Sequence, residues 1–202
     1  MSVKTKLLIA MIPTVLALVC VGLMAAYTIS DLGLHSQRIL KDNYRSVLAI
    51  QRITNSIERL DSGMLFSLSG KPEEGARMIR EFRPLVEEEI RIEENNVTES
   101  GEAELAKKMR SLWNEYQTLY DDVAGLGSDT LRERYYASIY PVFMRFKKTA
   151  EEILTLNQEA MVRKSEDVKA RGIFVTRLMI LLSLLASIGG IAVTMMMGGR
   201  IL

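Results

Sequence analysis

A chain of 202 residues has room for one sizeable domain plus a membrane anchor. Its 26 Lys and Arg against 25 Asp and Glu leave a formal net charge of +1, so nothing in the balance points to nucleic acid as a partner. Cys20 is the single cysteine, which excludes a disulfide framework and leaves stability to packing.

The first element is the uncharged run 7–30, LLIAMIPTVLALVCVGLMAAYTIS, set between Lys6 and Asp31 and long enough to cross a bilayer. A secretory signal peptide is the competing reading, with Lys4 and Lys6 as its basic end and Met24-Ala25-Ala26 as a weak cleavage signal. The run is longer than the usual apolar stretch of ~7 to 15 residues, which favours the span. Residues 31–69 read as one helix continuing out of it. Leu40, Tyr44, Val47, Ile50, Ile53, Ile57, Leu60, Met64 and Leu68 alternate by threes and fours, the stripe that a helix turns toward a core. Asp61 falls inside that stripe, and a half-buried carboxylate needs a hydrogen-bond partner.

Ser69-Gly70-Lys71-Pro72 breaks the helix, with Gly70 just past its end and Pro72 in the first turn of the next. The second helix is expected over 72–97, with Met78, Ile79, Phe82, Leu85, Val86 and Ile90 inward and a kink at Pro84. Asn95 to Gly101 form a polar turn in which Thr98 or Ser100 caps the third helix, 102–126. Leu105, Met109, Leu112, Trp113, Tyr116, Leu119, Tyr120 and Val123 line its inner face, and Gly125 to Asp129 end it. A short helical piece at 130–140 leads to Pro141, a first-turn residue from which a fourth helix runs on with Phe143, Phe146, Ala150, Ile153, Leu156 or Asn157, Ala160 and Met161 inward. No charge occurs over 178–199, about 33 Å at ~1.5 Å per residue, so this stretch is a second span. Gly172 alone interrupts the join, at a helix cost of about 1 kcal/mol.

The expected fold is all-α: an antiparallel up-down four-helix bundle whose first and last helices are continuous with the two transmembrane helices. The boundaries are a cytoplasmic N-terminus at 1–6, a first span at 7–30, an external domain at 31–177, a second span at 178–199 and a cytoplasmic start of a further region at 200–202. Lys4, Lys6 and Arg200 are the only charges outside domain and spans, so both termini are expected in the cytoplasm. The external region holds 23 basic and 25 acidic residues, a net of −2. Residues 31–69 reach about 58 Å as helix, beyond the roughly 40 Å of the inner hairpin, so two sparsely covered helices near the membrane argue for a parallel homodimer.

Three stretches carry a resemblance. Asn43-Tyr44-Arg45-Ser46-Val47 with Gln51-Arg52 and Glu58-Arg59-Leu60-Asp61-Ser62, then Asn96-Val97-Thr98-Glu99-Ser100-Gly101-Glu102, then Leu156-Asn157-Gln158-Glu159-Ala160-Met161, resemble the KinB-like sensor domains of bacterial membrane histidine kinases. The resemblance implies a periplasmic sensor in the inner membrane, a dimer, and HAMP and kinase domains after the second span. The chain here would then be the input region cut at the start of HAMP, not itself an enzyme. No cofactor is expected in it, ATP and Mg belonging to the absent kinase domains, which would also meet the cognate response regulator. His35, the only histidine, sits just outside the first span and is not the phosphoacceptor. A chemotaxis receptor, a cyclic-di-GMP enzyme or a non-signalling membrane scaffold would use the same input architecture.

Arg38, Arg45, Arg52 and Arg59 recur every seven residues along one side of the first helix. Asp42 is within reach of the first two, whereas Arg52 and Arg59 have no acid three or four residues away. Arg45, Arg52 and Arg59 are therefore candidates for a small anionic ligand or a dimer contact, against a solvated face. Ala186, Gly190, Thr194 and Gly198 make a small-residue ridge in the second span, suited to a dimer interface or to packing within the chain. Tyr135, Tyr136 and Tyr140 are candidates to line a pocket. Glu87, Glu88, Glu89, Glu93 and Glu94 read as a solvated face rather than a cation site. No spacing matches a metal site, and no nucleophile with a base stands out as catalytic. The remaining expected partners are membrane lipid and, in place of a small ligand, a periplasmic protein.

Overall fold

Few residues in this chain can stop a helix, and the structure is helical accordingly. The computed structural model describes residues 3–123 and 128–198, among which there is no strand. The elements are α1 (Val3–Leu68), α2 (Pro72–Glu94), α3 (Glu102–Val123), α4 (Ser128–Arg134), a single π-helical turn (Tyr135–Ile139) and α5 (Tyr140–Gly198). Two compact units share them: one takes α1 up to Arg38 with α5 from Lys164, the other takes Ile39–Arg163. The expected end of the third helix at Leu126, the turn at Gly125 to Gly127 and the residues after Gly198 lie outside the described residues.

Each break has a local cause. Gly70 adopts φ +81°, which only glycine takes without strain. Around it the N–H of Lys71 donates to the Phe66 carbonyl (3.0 Å) and that of Gly70 to Ser67 (3.2 Å), the paired bonds that close a helix end on a left-handed residue. Pro72 then opens α2, with Glu73 and Glu74 in its first turn. Glycine also turns the chain ahead of α3, Gly101 having φ +88°. The cap there differs from expectation. Neither the Ser100 nor the Thr98 side chain caps the helix; the Glu102 carboxylate folds back to accept the N–H of Thr98 (2.6 Å) and of Glu99 (2.9 Å). α2 also stops at Glu94, where Asn95 Nδ2 donates to the Arg91 carbonyl, short of the expected Val97.

Pro141 does not start a helix after a break. α4, the π turn and α5 follow one another directly, and the N–H of Tyr140 bonds back five residues to Tyr135 O. A proline ring clashes with the carbonyl four residues before it, and widening the preceding turn gives that carbonyl somewhere to go.

The core lies in the second unit and follows a seven-residue repeat. In α1 it is Ile50, Ile57 and Met64 with Ile53 and Leu60; in α2, Ile79 and Val86 with Ile90; in α3, Met109, Tyr116 and Val123 with Trp113; and from the π turn into α5, Ile139, then Phe146 and Ile153 with Phe143 and Ala150. Tyr44 and Leu85 were expected inward and are exposed, at 48 % and 47 %. Their neighbours on the true seam, Asn43 and Val86, are buried. Asn157, not Leu156, is the buried residue at its place in α5. Ion pairs mark which helices are neighbours: Arg52 of α1 with Glu89 of α2, Arg83 of α2 with Asp121 of α3, Arg145 of α3-facing α5 with Glu115, and Lys147 of α5 with Glu58 of α1. Such exposed pairs contribute little energy, about 0–1 kcal/mol each, but they fix adjacency.

In the first unit the described side chains of 11–34 and of α5 beyond Ile173 are mostly apolar and largely exposed, and both helices are long and apolar enough to cross a membrane. Gly190 approaches α1 closely: a Cβ there would lie 2.7 Å from Thr14 Oγ1.

Candidate functional site

The seven-residue repeat turns polar at one end of α1, α2, α3 and α5 within the second unit. Asn43 and Ser46 continue the α1 seam, Glu93 falls seven residues after Val86, Glu102 seven before Met109, and Asn157 seven after Ala150. All five side chains are buried, and all are withheld from solvent by the same close packing that buries the apolar layers. A buried polar group must find partners or cost free energy, and most of these find each other. Asn157 Nδ2 donates to Glu102 Oε1 and to the Ile153 carbonyl. Asn43 Nδ2 donates to Glu99 Oε1 (2.7 Å) and to Asn157 Oδ1 (3.3 Å). Asn96 Nδ2 reaches the Asp42 carbonyl (2.8 Å) and Ser46 Oγ (2.9 Å). One network thus joins α1, the turn between α2 and α3, the first turn of α3, and α5.

Glu93 is the exception within it. Its side chain is fully buried, and neither carboxyl oxygen has a hydrogen-bond partner. Burial first, and then the Glu102 carboxylate, push Glu93 up to about 8, with Ser46 opposing. Glu93 was expected on a solvated face, and that expectation fails for Glu93, which is buried, and for Glu89, whose side chain is mostly covered, while Glu87, Glu88 and Glu94 are exposed. Glu87 and Glu94 bind Arg110, Glu88 binds Arg91, and Glu89 binds Arg52.

The arginine row is on the surface. Arg52 is met by Glu89, so the charge that had no partner on its own helix finds one on α2. Arg45 and Arg59 are exposed and make no ion pair among the described residues. The side chain of Arg38 lies outside the described residues. In the ridge of small residues Ala186 is half-buried and Gly190 packs on Thr14 of the same chain; the side-chain environments of Thr194 and Gly198 lie outside the described residues.

Asp61 has the partner its position requires. The hydroxyl of Tyr135, on the π turn, donates to Asp61 Oδ1 at 2.9 Å. Burial raises the Asp61 pKa from 3.8, with the Tyr135 hydrogen bond and Lys147 pulling it down. The Tyr135 ring also meets Tyr136 and Tyr140, so the three tyrosines pack on one another. Tyr135→Phe is expected to cost about 1–2 kcal/mol by stripping a donor from a half-buried carboxylate. The sign with pH follows from Asp61 holding its proton more tightly folded than unfolded. Its favourable contribution is complete below 3.8 and is lost as pH rises through the raised folded value. Losing the Tyr135 donor raises that value further, so the gap between variant and wild type should widen from about pH 4 to pH 7. Thermal unfolding followed by the fluorescence of Trp113, the only tryptophan, measures it; a gap independent of pH would contradict the assignment.

Among the described residues no group of three or more His, Cys, Asp and Glu is placed to hold a metal ion. Comparison with family models, with curated proteins and with solved structures finds no match to this chain.

Proposed function

We propose that this chain is the input module of a two-component sensor histidine kinase in a bacterial inner membrane. In this reading 31–177 is a periplasmic antiparallel four-helix bundle, 7–30 and 178–199 are its two spans, and both termini are cytoplasmic. A stimulus on the bundle moves α5 by an ångström or two, and the second span hands that movement to HAMP and kinase domains. Two copies pair side by side, through the small residues of 186–198 or through the first helix. The exposed Arg45 and Arg59 are the groups left to attract a small anion, Arg52 being engaged by Glu89.

The observation that supports this most is that the same helix, Tyr140–Gly198, contains the buried seam from Phe143 to Asn157 and the uncharged stretch beyond Leu178. A helical connection transmits displacement that a flexible linker would dissipate. The ion pairs linking α1 to α2, α2 to α3, α3 to α5 and α5 to α1 support the bundle arrangement.

The test is topological and genetic. Tags at the two ends should both be reached only from the cytoplasm, a cysteine placed at Ser100 should be labelled only from outside, and the coding sequence past Leu202 should run into HAMP and kinase motifs. Tags on opposite sides of the membrane would overturn the reading. So would a stop codon after Leu202, which would favour a scaffold, or a downstream chemoreceptor or cyclic-di-GMP domain.

A further inference from the structure

Glu93 and Glu102 are two carboxyl groups brought together in the closed polar end of the second unit, in very different company. The Glu102 carboxylate accepts four hydrogen bonds, from the N–H of Thr98 and Glu99, the Thr98 hydroxyl and Asn157 Nδ2. Glu93 receives no such bond, and the groups that act on it are the Ser46 hydroxyl and the Glu102 carboxylate. The groups packed against it offer no compensating charge. α1 contributes Ser46 and α3 contributes Glu102, and around these two the same buried polar end holds Asn43, Asn157 and, through its bond to Asn43, Glu99. The arginines on the flanking surfaces are committed elsewhere, Arg110 to Glu87 and Glu94, Arg91 to Glu88. No cation among the described residues forms an ion pair with Glu93.

We propose that Glu93 is a proton-operated latch: protonated, it sits neutral beside Glu102 and keeps the polar end closed on Asn157; ionised, it repels Glu102 and opens that end. Two carboxylates in one dry site cannot both be ionised at small cost, so the proton is part of the packing. Burial and the Glu102 charge set the midpoint at about 8, inside the range an external compartment traverses. The consequence runs through Glu102. Its carboxylate holds the turn through Thr98 and Glu99 and holds α5 through Asn157, so a repelled Glu102 releases both. The stimulus is thus alkalinisation outside the membrane. The placement of the site outside the membrane and the relay of this opening to an output rest on the function proposed above; the latch itself does not.

The experiment uses the full chain in lipid nanodiscs. Infrared difference spectra across pH should contain a protonated carboxyl band that persists at neutral pH, disappears with a midpoint near 8, and is missing from Glu93→Gln. In parallel, hydrogen exchange of the Thr98 and Glu99 amides, corrected for the intrinsic pH effect, should lose about tenfold protection for each pH unit above the midpoint in the wild type. In Glu93→Gln, which stays neutral, protection should be flat. If no carboxyl remains protonated at neutral pH in the wild type, the proposal is wrong, whether or not the variant folds. It is equally wrong if Glu93→Gln follows the wild-type exchange profile. Neither result depends on an output domain, so failure here leaves the sensor reading standing, and failure of that reading leaves the latch standing.

Discussion

Trp113→Ala is expected to be the most damaging single truncation, costing about 3–5 kcal/mol. Trp113 has no exposed surface and sits on α3 facing α5, its ring 6.0 Å from Tyr116 and 6.3 Å from Phe146. It also carries a polar duty. Its Nε1 donates to Glu87 Oε2 at 2.7 Å, and Glu87 in turn pairs with Arg110. Burial alone would raise Glu87, but the donors Arg110 and Trp113 hold it below its ordinary value. Alanine removes the ring, leaves a hole that long helices cannot collapse to fill, and takes a donor from a carboxylate. At ~2–4 °C per kcal/mol for a unit of this size, calorimetry of the full chain in nanodiscs should read a drop of roughly 10 °C in Tm. Trp113→Phe keeps the ring and loses the donor, so it should fall between. Equal Tm values for Trp113→Ala and the wild type would mean that the core is not packed as described.

Gly75→Ala is the second. A methyl group there would lie 2.3 Å from the Gly63 carbonyl oxygen and 2.2 Å from Ser67 Oγ. The hydroxyl can turn away, although it would give up its bond to Gly63 O. The carbonyl belongs to the α1 backbone and can yield only if the two helices part. Alanine would otherwise favour the helix by about 1 kcal/mol, so a net loss of about 1–3 kcal/mol means that overpacking outweighs propensity. Gly63→Ala meets its nearest atoms at 3.0 Å, one of them on the Ile79 side chain, and should be milder. The order of unfolding temperatures is the test: Gly75→Ala below Gly63→Ala below wild type. A Gly75→Ala protein as stable as the wild type would rule out so close a crossing.

The helices and the middle of the core were legible because apolar residues at threes and fours leave few alternatives, and because Gly70 and Pro72 stop the chain for backbone reasons alone. What was lost from the core shares one cause: apart from Asp61 and Asn157, the inner face was sought among apolar residues. Tyr44 was preferred to Asn43, and Leu85 was taken inward with no place left for Glu93. Followed strictly by sevens, without asking whether each member is apolar, the repeat runs from Ile79 and Val86 to Glu93, and from Met109 back to Glu102. The candidate site was thus written in the spacing and hidden by the composition. The π turn was not legible. Pro141 fits the first turn of a helix as well as the far side of a widened one, and only the Tyr140 to Tyr135 bond separates the two.

The polar end also settles how far α1 and α5 can slide. A repeat of seven is degenerate, since shifting one helix by about 10.5 Å would set every knob before an equivalent hole. Asn43 and Asn157 lift that degeneracy, because any such jump parts the two amides, leaving Asn43 opposite Ala150 in one direction or Asn157 opposite Ile50 in the other. The pair therefore has one allowed rung, and whatever motion α5 makes is confined to fractions of a repeat.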